Sequence, residues 1–224
     1  MTYIPKYKLK TLYLGKIQAM IAVITGDIIG SRKAATPEWV KVLKTKLNKF
    51  GSSPKEWEIY RGDEFQLELA KPEQALISAL EIKACIKTFK NLDVRMAIGL
   101  GDKNFQGDKV SESNGSAFSN SGSQFDLLKN QKVTLAVSSP EKEFDTEINL
   151  MLKLALVTMD NWSTVSAEIA EILFDNPDLL QEEIAQRLQI KQSAVSQRTH
   201  RAKLDLMMEV VEHYQNKVKK ITAV

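Results

Sequence analysis

The run Trp57-Glu-Ile-Tyr-Arg-Gly-Asp-Glu-Phe-Gln-Leu-Glu-Leu69 alternates apolar and polar side chains on both sides of a glycine-containing break. Trp57–Tyr60 and Phe65–Leu69 each have the period of two that marks a half-buried strand. Arg61-Gly62-Asp63-Glu64 supplies the turn between them, so the run predicts a β-hairpin. Upstream, Met20 opens into Ile21-Ala-Val-Ile-Thr25, which predicts a strand over 21–26. A helix is predicted from near Pro37, with Val40, Leu43, Leu47 and Phe50 on one side, and Gly51-Ser-Ser-Pro54 ends it. Downstream, Pro72 starts a second helix whose Ala75, Ala79, Ile82, Ile86 and Phe89 form an apolar stripe. A strand at Val94–Leu100, a helix near 116–129 and a strand at Val133–Val137 follow. The expectation is an α+β fold, with helices covering one face of an antiparallel or mixed sheet.

After Pro140 the strand signal stops. Phe144–Met159 and Val165–Phe174 read as helices, with Asn161 or Ser163 to cap one of them. Gln181-Glu-Glu-Ile-Ala-Gln-Arg-Leu-Gln-Ile-Lys-Gln-Ser-Ala-Val-Ser-Gln-Arg198 then places Ile184, Ala185 and Leu188 on one face of a short helix. Val195 points back from a second helix that Ser193 helps to start, and this last helix is expected to continue through Leu204, Met207, Val211 and Tyr214. Arg187 to Leu204 holds five Lys or Arg and no acidic residue, as suits a polyanion. The pattern resembles the helix-turn-helix of bacterial transcription regulators, over 181–203. It departs at Gln189, where glycine is common, so a left-handed glutamine is expected there. The resemblance implies a DNA partner. Lys191, Arg198, Arg201 and Lys203 would meet phosphates, and Gln192, Ser193, Ser196 and Gln197 would read base edges. The plainer alternative is a helical hairpin with a solvated basic face. Met207, Met208, Val210, Val211 and Tyr214 form either a homodimer seam or a face buried against the first domain.

The chain of 224 residues is 43% hydrophobic and 26% charged, with a net charge of +3, within the ordinary range for globular proteins. No apolar run approaches the ~20 residues that cross a bilayer, so no membrane partner is expected. The lone Cys85 and the two histidines argue against disulfides and structural zinc. A cytoplasmic location is the expectation. Residues 1–19 carry four lysines and no acid, and they read as an N-terminal extension, either upstream of a natural start at Met20 or a packing arm. The expected domains are 20–140 and 141–224.

Two segments set a carboxylate beside a glycine at a strand end: Ile24-Thr-Gly-Asp27-Ile-Ile-Gly-Ser-Arg32 and Arg61-Gly-Asp63-Glu64. If the first strand neighbours the hairpin, Asp27 and Asp63 converge and Glu64 alternates to the other face. Two carboxylates with open positions suit Mg²⁺ or Mn²⁺ holding a nucleotide triphosphate. Backbone N–H groups at Ile28, Ile29 and Gly30, with Arg32, would meet its phosphates. The alternative is that both acids only satisfy turn N–H groups. Arg95 reads as a strand residue paired with Glu68 or another exposed acid.

Gly26-Asp27-Ile28-Ile29-Gly30, Gly62-Asp63 and Arg95-Met-Ala-Ile-Gly99-Leu-Gly101 occur in the order seen in class III nucleotidyl cyclases, and Arg61-Gly-Asp-Glu-Phe65 resembles the signature hairpin of GGDEF proteins. Together with Asn114-Gly-Ser-Ala-Phe118 and the helix-turn-helix, the arrangement most resembles the SatD family, over roughly 20–210. The resemblance implies a ferredoxin-like, nucleotidyl-cyclase-like palm followed by an all-helical helix-turn-helix domain. The cyclase asparagine and arginine are not matched, since Phe118 and Gly122 stand at the corresponding positions, which removes stabilisation of a phosphoryl-transfer transition state. The expected function is a DNA-binding transcription regulator whose palm senses a metal-bound nucleotide. The alternative is a metal-dependent nucleotidyl cyclase or nucleotidyltransferase using Asp27 and Asp63.

Overall fold

A computed structural model describes residues 19–33 and 38–223. The readings that fall on 1–18 and on Pro37 lie outside the described residues. The hairpin forms where alternation places it: β2 (Trp57–Tyr60) and β3 (Glu64–Leu69) pair antiparallel. Arg61 and Gly62 turn the chain with φ of 50° and 89°, the positive values that tight hairpins need. β1 (Ile21–Ile29) lies antiparallel between β3 and β4 (Asp93–Gly101), and β5 (Leu135–Ser138) joins β4 in parallel. The open sheet has the order β2-β3-β1-β4-β5. α1 (Glu38–Leu47) links β1 to β2, α2 (Ala75–Lys87) links β3 to β4, and α3 (Ser116–Gln131) links β4 to β5. α3 begins at Ser116, so the serine-rich stretch over 111–123 is only partly loop.

Strand alternation assigns the layers. Ala22, Ile24 and Ile28 of β1, Phe65 and Leu67 of β3, and Met96 and Ile98 of β4 join the main apolar cluster with Leu43 and Leu47 of α1 and Leu76 and Ala79 of α2. On the reverse face, Ile21 and Val23 meet Ala117, and Ala97 and Ala136 meet Phe125 and Leu128, so α3 covers β1, β4 and β5. Gly99 permits that close approach, because a Cβ there would lie 2.2 Å from the Ala117 carbonyl oxygen.

α2 departs from the expected stripe. All of it except Ile77 is buried, because α2 lies between the sheet and the helices α1, α5 (Thr164–Asp175) and α8 (Leu204–Thr222). Its charged side chains survive there only as ion pairs. Lys83, fully buried, sits 2.7 Å from both Asp93 and Asp160. Lys87 donates to Asp93 at 3.0 Å and to the Asp160 carbonyl at 2.8 Å.

α4 (Lys142–Met159), α5, α6 (Gln181–Leu188), α7 (Gln192–Ala202) and α8 complete the helical layer. Ser163 caps α5, accepting from the Ser166 N–H at 3.2 Å. The single helix expected from Gln192 to Tyr214 is in fact two, because Lys203 takes φ 55°. Tertiary contacts fix that break: Trp162 Nε1 donates to the Ala202 carbonyl at 3.0 Å, and Leu204 is buried just beyond it. The apolar cluster continues from the sheet through Phe144, Trp162, Ile169, Val195 and Val211. Met207, Val211 and Tyr214 therefore face inward and not onto a seam, and the Tyr214 hydroxyl donates to the Pro72 carbonyl at 3.0 Å. Among the described residues, no helix is long and apolar enough to cross a membrane.

Candidate functional site

The reverse face of the sheet is covered by α3 only in part, and the uncovered part is polar. Directly opposed residues of antiparallel strands project to the same side. Tyr60, Glu64, Asp27 and Arg95 therefore form one row across β2, β3, β1 and β4. Glu58, Gln66, Thr25 and Ala97 form the next. Glu64 thus shares a face with Asp27, against the expectation that it would alternate away: the register opposes the two residues.

Two carboxylates opposed across strands repel unless cations intervene. Arg95 forks Asp27, with Nε 3.1 Å from Oδ1 and Nη2 2.6 Å from Oδ2. Its guanidinium lies 5.7 Å from the centroid of the Phe125 ring, whose other neighbour is the Lys129 ammonium at 4.6 Å. Glu64 is met by Lys129 at 3.8 Å and by Arg61 at 3.7 Å. The loop between β4 and α3 brings Lys103 within 2.6 Å of Glu68, Lys109 within 3.7 Å of Glu58, and the Ser111 hydroxyl within 2.6 Å of Glu58. Burial, with Glu64 beside it, pushes the Tyr60 phenol above its ordinary value. Beneath the rows Thr25 and Ser121 share a buried hydrogen bond of 2.9 Å. The result is a face on which each of these four acids has its own cation.

Asp63 belongs to a different set of contacts. Its carboxylate accepts from the Ser31 hydroxyl, and its carbonyl accepts from the Ile28 N–H at 3.2 Å. The turn is thereby tied to the segment Ile28–Arg32, but the Ile28 amide is already used. Gly30 takes φ 88°, and a Cβ there would lie 2.5 Å from the Asn91 carbonyl oxygen. Ile29 and Arg32 are exposed. Asp27 and Asp63 are thus held by separate partners. Among the described residues, no group of three or more His, Cys, Asp or Glu gathers where a metal ion could be held. Both Asp27 carboxylate oxygens accept from Arg95 in this arrangement.

The second polar surface is on α7. Ile184 and Ala185 of α6 and Val195 of α7 are buried, and α7 packs on both α6 and α5. Glu183 accepts the Leu180 N–H at 2.7 Å, which starts α6. Gln189 ends it with φ 52° and ψ 42°, the left-handed conformation that the missing glycine implied. Ser193 makes no cap: Lys191 holds the N-cap position, without a side-chain bond. Lys191, Gln192, Ser193, Ser196, Gln197, Arg201 and Lys203 are exposed. Arg198 differs, since it is partly buried and lies 3.4 Å from Glu168 on α5.

Sequence reading passed over Glu58, Lys103, Lys109 and Lys129. Alternation in β3 already signals that Glu64, Gln66 and Glu68 share a face. The cations come from a loop and from α3, and nothing local announces where those lie.

Compared by sequence with curated proteins, the chain matches none of them. The pattern described as the SatD family matches residues 20–217. That span starts one residue before β1 and ends inside α8, so it takes in the sheet, its polar face and the basic helix. The chain belongs to the SatD family.

Proposed function

We propose that the chain is a DNA-binding transcription regulator, in which α6 and α7 act as a helix-turn-helix and the sheet with α1 and α2 acts as a ferredoxin-like palm that senses a nucleotide or a related phosphorylated ligand. The observation that carries the reading is the exposed face of α7, basic and free of acids from Arg187 to Leu204. The N-terminal half of α7 enters the major groove, where Gln192, Ser193, Ser196 and Gln197 meet base edges. Lys191, Arg201 and Lys203 supply the phosphate contacts that make binding salt-dependent. Arg198 is restrained by Glu168, so its share of the phosphate contacts is smaller. Replacing Glu168 by Gln frees it and should tighten DNA binding by roughly a few-fold, read by fluorescence anisotropy on duplex DNA. Unchanged or weaker binding removes Arg198 from the interface.

The strand order β2-β3-β1-β4, antiparallel throughout with α1 and α2 as crossovers, supports the palm. The ligand's phosphates would approach Ile29–Arg32. A thermal-shift series of nucleotides, with and without Mg²⁺ or Mn²⁺, tests this half. A ligand at ~100 times its Kd stabilises a fold by about 2.7 kcal/mol, and no shift with any nucleotide rejects the sensing role. Turnover has less support, because Arg95 neutralises Asp27 and Gly122 carries no cation at the position that corresponds to the cyclase arginine.

A further inference from the structure

The helical layer holds a cavity that neither the polar sheet face nor the exposed face of α7 uses. It lies between the end of α5, α6, α7 and the start of α8, and measures about 300 Å³, roughly ten water-sized volumes at ~30 Å³ each. Its floor is apolar: Phe174, Ile184 and Leu204 line it and are buried. Its mouth is polar: Gln181 and Asp205 line it and are exposed. Thr199 joins the wall from the inner side of α7, one turn after the buried Val195. The Thr199 hydroxyl donates to the Val195 carbonyl at 3.0 Å, so toward a ligand it can only accept. Asp205, when ionised, is also an acceptor alone. Among the described residues no salt bridge reaches it: Arg198 pairs with Glu168, and His213 and Lys217 pair with Glu147. Among the described residues, no Lys, Arg or His lines the cavity.

We propose that this cavity binds a small primary amine, its ammonium held at Asp205 and Thr199 and its apolar body resting on Phe174, Ile184 and Leu204. The match is one of donors to acceptors. An ammonium carries three donors and no acceptor. An anion would meet the charge of Asp205 with no lining cation to offset it, and a hydrocarbon would use none of the acceptors. The volume stands at the low end for ligand pockets, which restricts the body to a short alkyl chain or a single ring. A bound amine braces the inner side of α7 against α5 and α8. The amine site itself does not depend on the proposed function; its control over DNA binding rests on that function.

Titration of the isotope-labelled full chain with phenethylamine, followed by backbone amide chemical shifts, tests the site. Hydrocinnamate is the control, an anion with the same ring and the same length of chain. The amine should shift the amides of Ile184, Thr199 and Leu204 saturably, and hydrocinnamate should not. Asp205→Asn should weaken the amine by roughly tenfold and Thr199→Val by roughly threefold. Circular dichroism and Tm of Asp205→Asn should stay near wild type, since the side chain is exposed. No saturable shift at these amides, an equal response to hydrocinnamate, or undiminished affinity in Asp205→Asn overturns the site. Fluorescence anisotropy on duplex DNA at fixed ionic strength separates the two claims: the amine should change the affinity of wild type and not of Asp205→Asn. An unchanged wild-type affinity overturns the control over α7. Amine binding by a chain that binds no DNA contradicts the DNA reader and supports the amine site.

Discussion

Arg95 decides the chemistry of the polar sheet face. It neutralises Asp27 through two hydrogen bonds while Asp27 stands opposite Glu64 in the register. Replacing Arg95 by Met leaves two carboxylates, each about one-fifth exposed, facing one another. Breaking a fully buried pair costs about 3–5 kcal/mol, and partial exposure lowers the expected loss here to about 2 kcal/mol in chemical denaturation. Mg²⁺ or Mn²⁺ should then raise the Tm of the variant and not of wild type. A variant as stable as wild type, or one indifferent to divalent ions, contradicts this role. At Gln189 the strain was legible from one missing glycine, because only backbone geometry was involved. Gln189→Gly should stabilise the fold by about 0.5–1 kcal/mol, the left-handed cost to an L-residue less the glycine's added entropy. A fall in Tm would contradict it. The Asp27–Arg95 pair was harder to see. Its residues are 68 positions apart, and strand register, not local pattern, brings them together.

Among the elements, strands were read well because their alternation is set by local burial. β2, β3 and β4 fall within a residue or two of their expected spans. α2 was read as amphipathic but is buried nearly all round, since its second face is made by helices far along the chain. The α7–α8 break escaped for a related reason: Trp162, 40 residues from Ala202, ends α7. One link between α1 and α5 has a pH consequence. Lys46 and Lys49 donate to Asp175 at 2.8 Å and 2.6 Å. Burial raises the Asp175 pKa, but those two bonds outweigh burial and hold it below its ordinary 3.8. A carboxyl depressed in the folded state stabilises the fold above its unfolded pKa and loses that contribution as pH falls through the folded value. Glu81, raised by burial despite Lys49, acts in the opposite direction. Asp175→Asn should therefore lower stability near pH 7 and flatten its decline below about pH 4, measured by urea unfolding across pH. A variant with the wild-type pH profile contradicts the link.

Across the whole molecule, one apolar cluster runs from β1 to Val218 and joins the sheet to the helical layer. Tyr214 reaches Pro72 at the start of α2, and α5 packs on both α2 and α7. The sequence carried the change from mixed strands and helices to helices alone near Pro140, because periodicity changes there. That the two parts share a core depends on which faces meet, and no local signal encodes it. The polar sheet face and the basic face of α7 are thus parts of one packed body, with α7 on its helical side. The most direct measurement is the affinity of the full chain for duplex DNA, by fluorescence anisotropy from about 50 to 200 mM salt, against Lys191→Ala/Arg201→Ala. The expected result is a steep fall in log affinity with log salt, with the slope reduced by about one for each lost phosphate contact. No binding at the lowest salt, or equal affinities and slopes for both proteins, would contradict the assignment of α7 as a DNA reader.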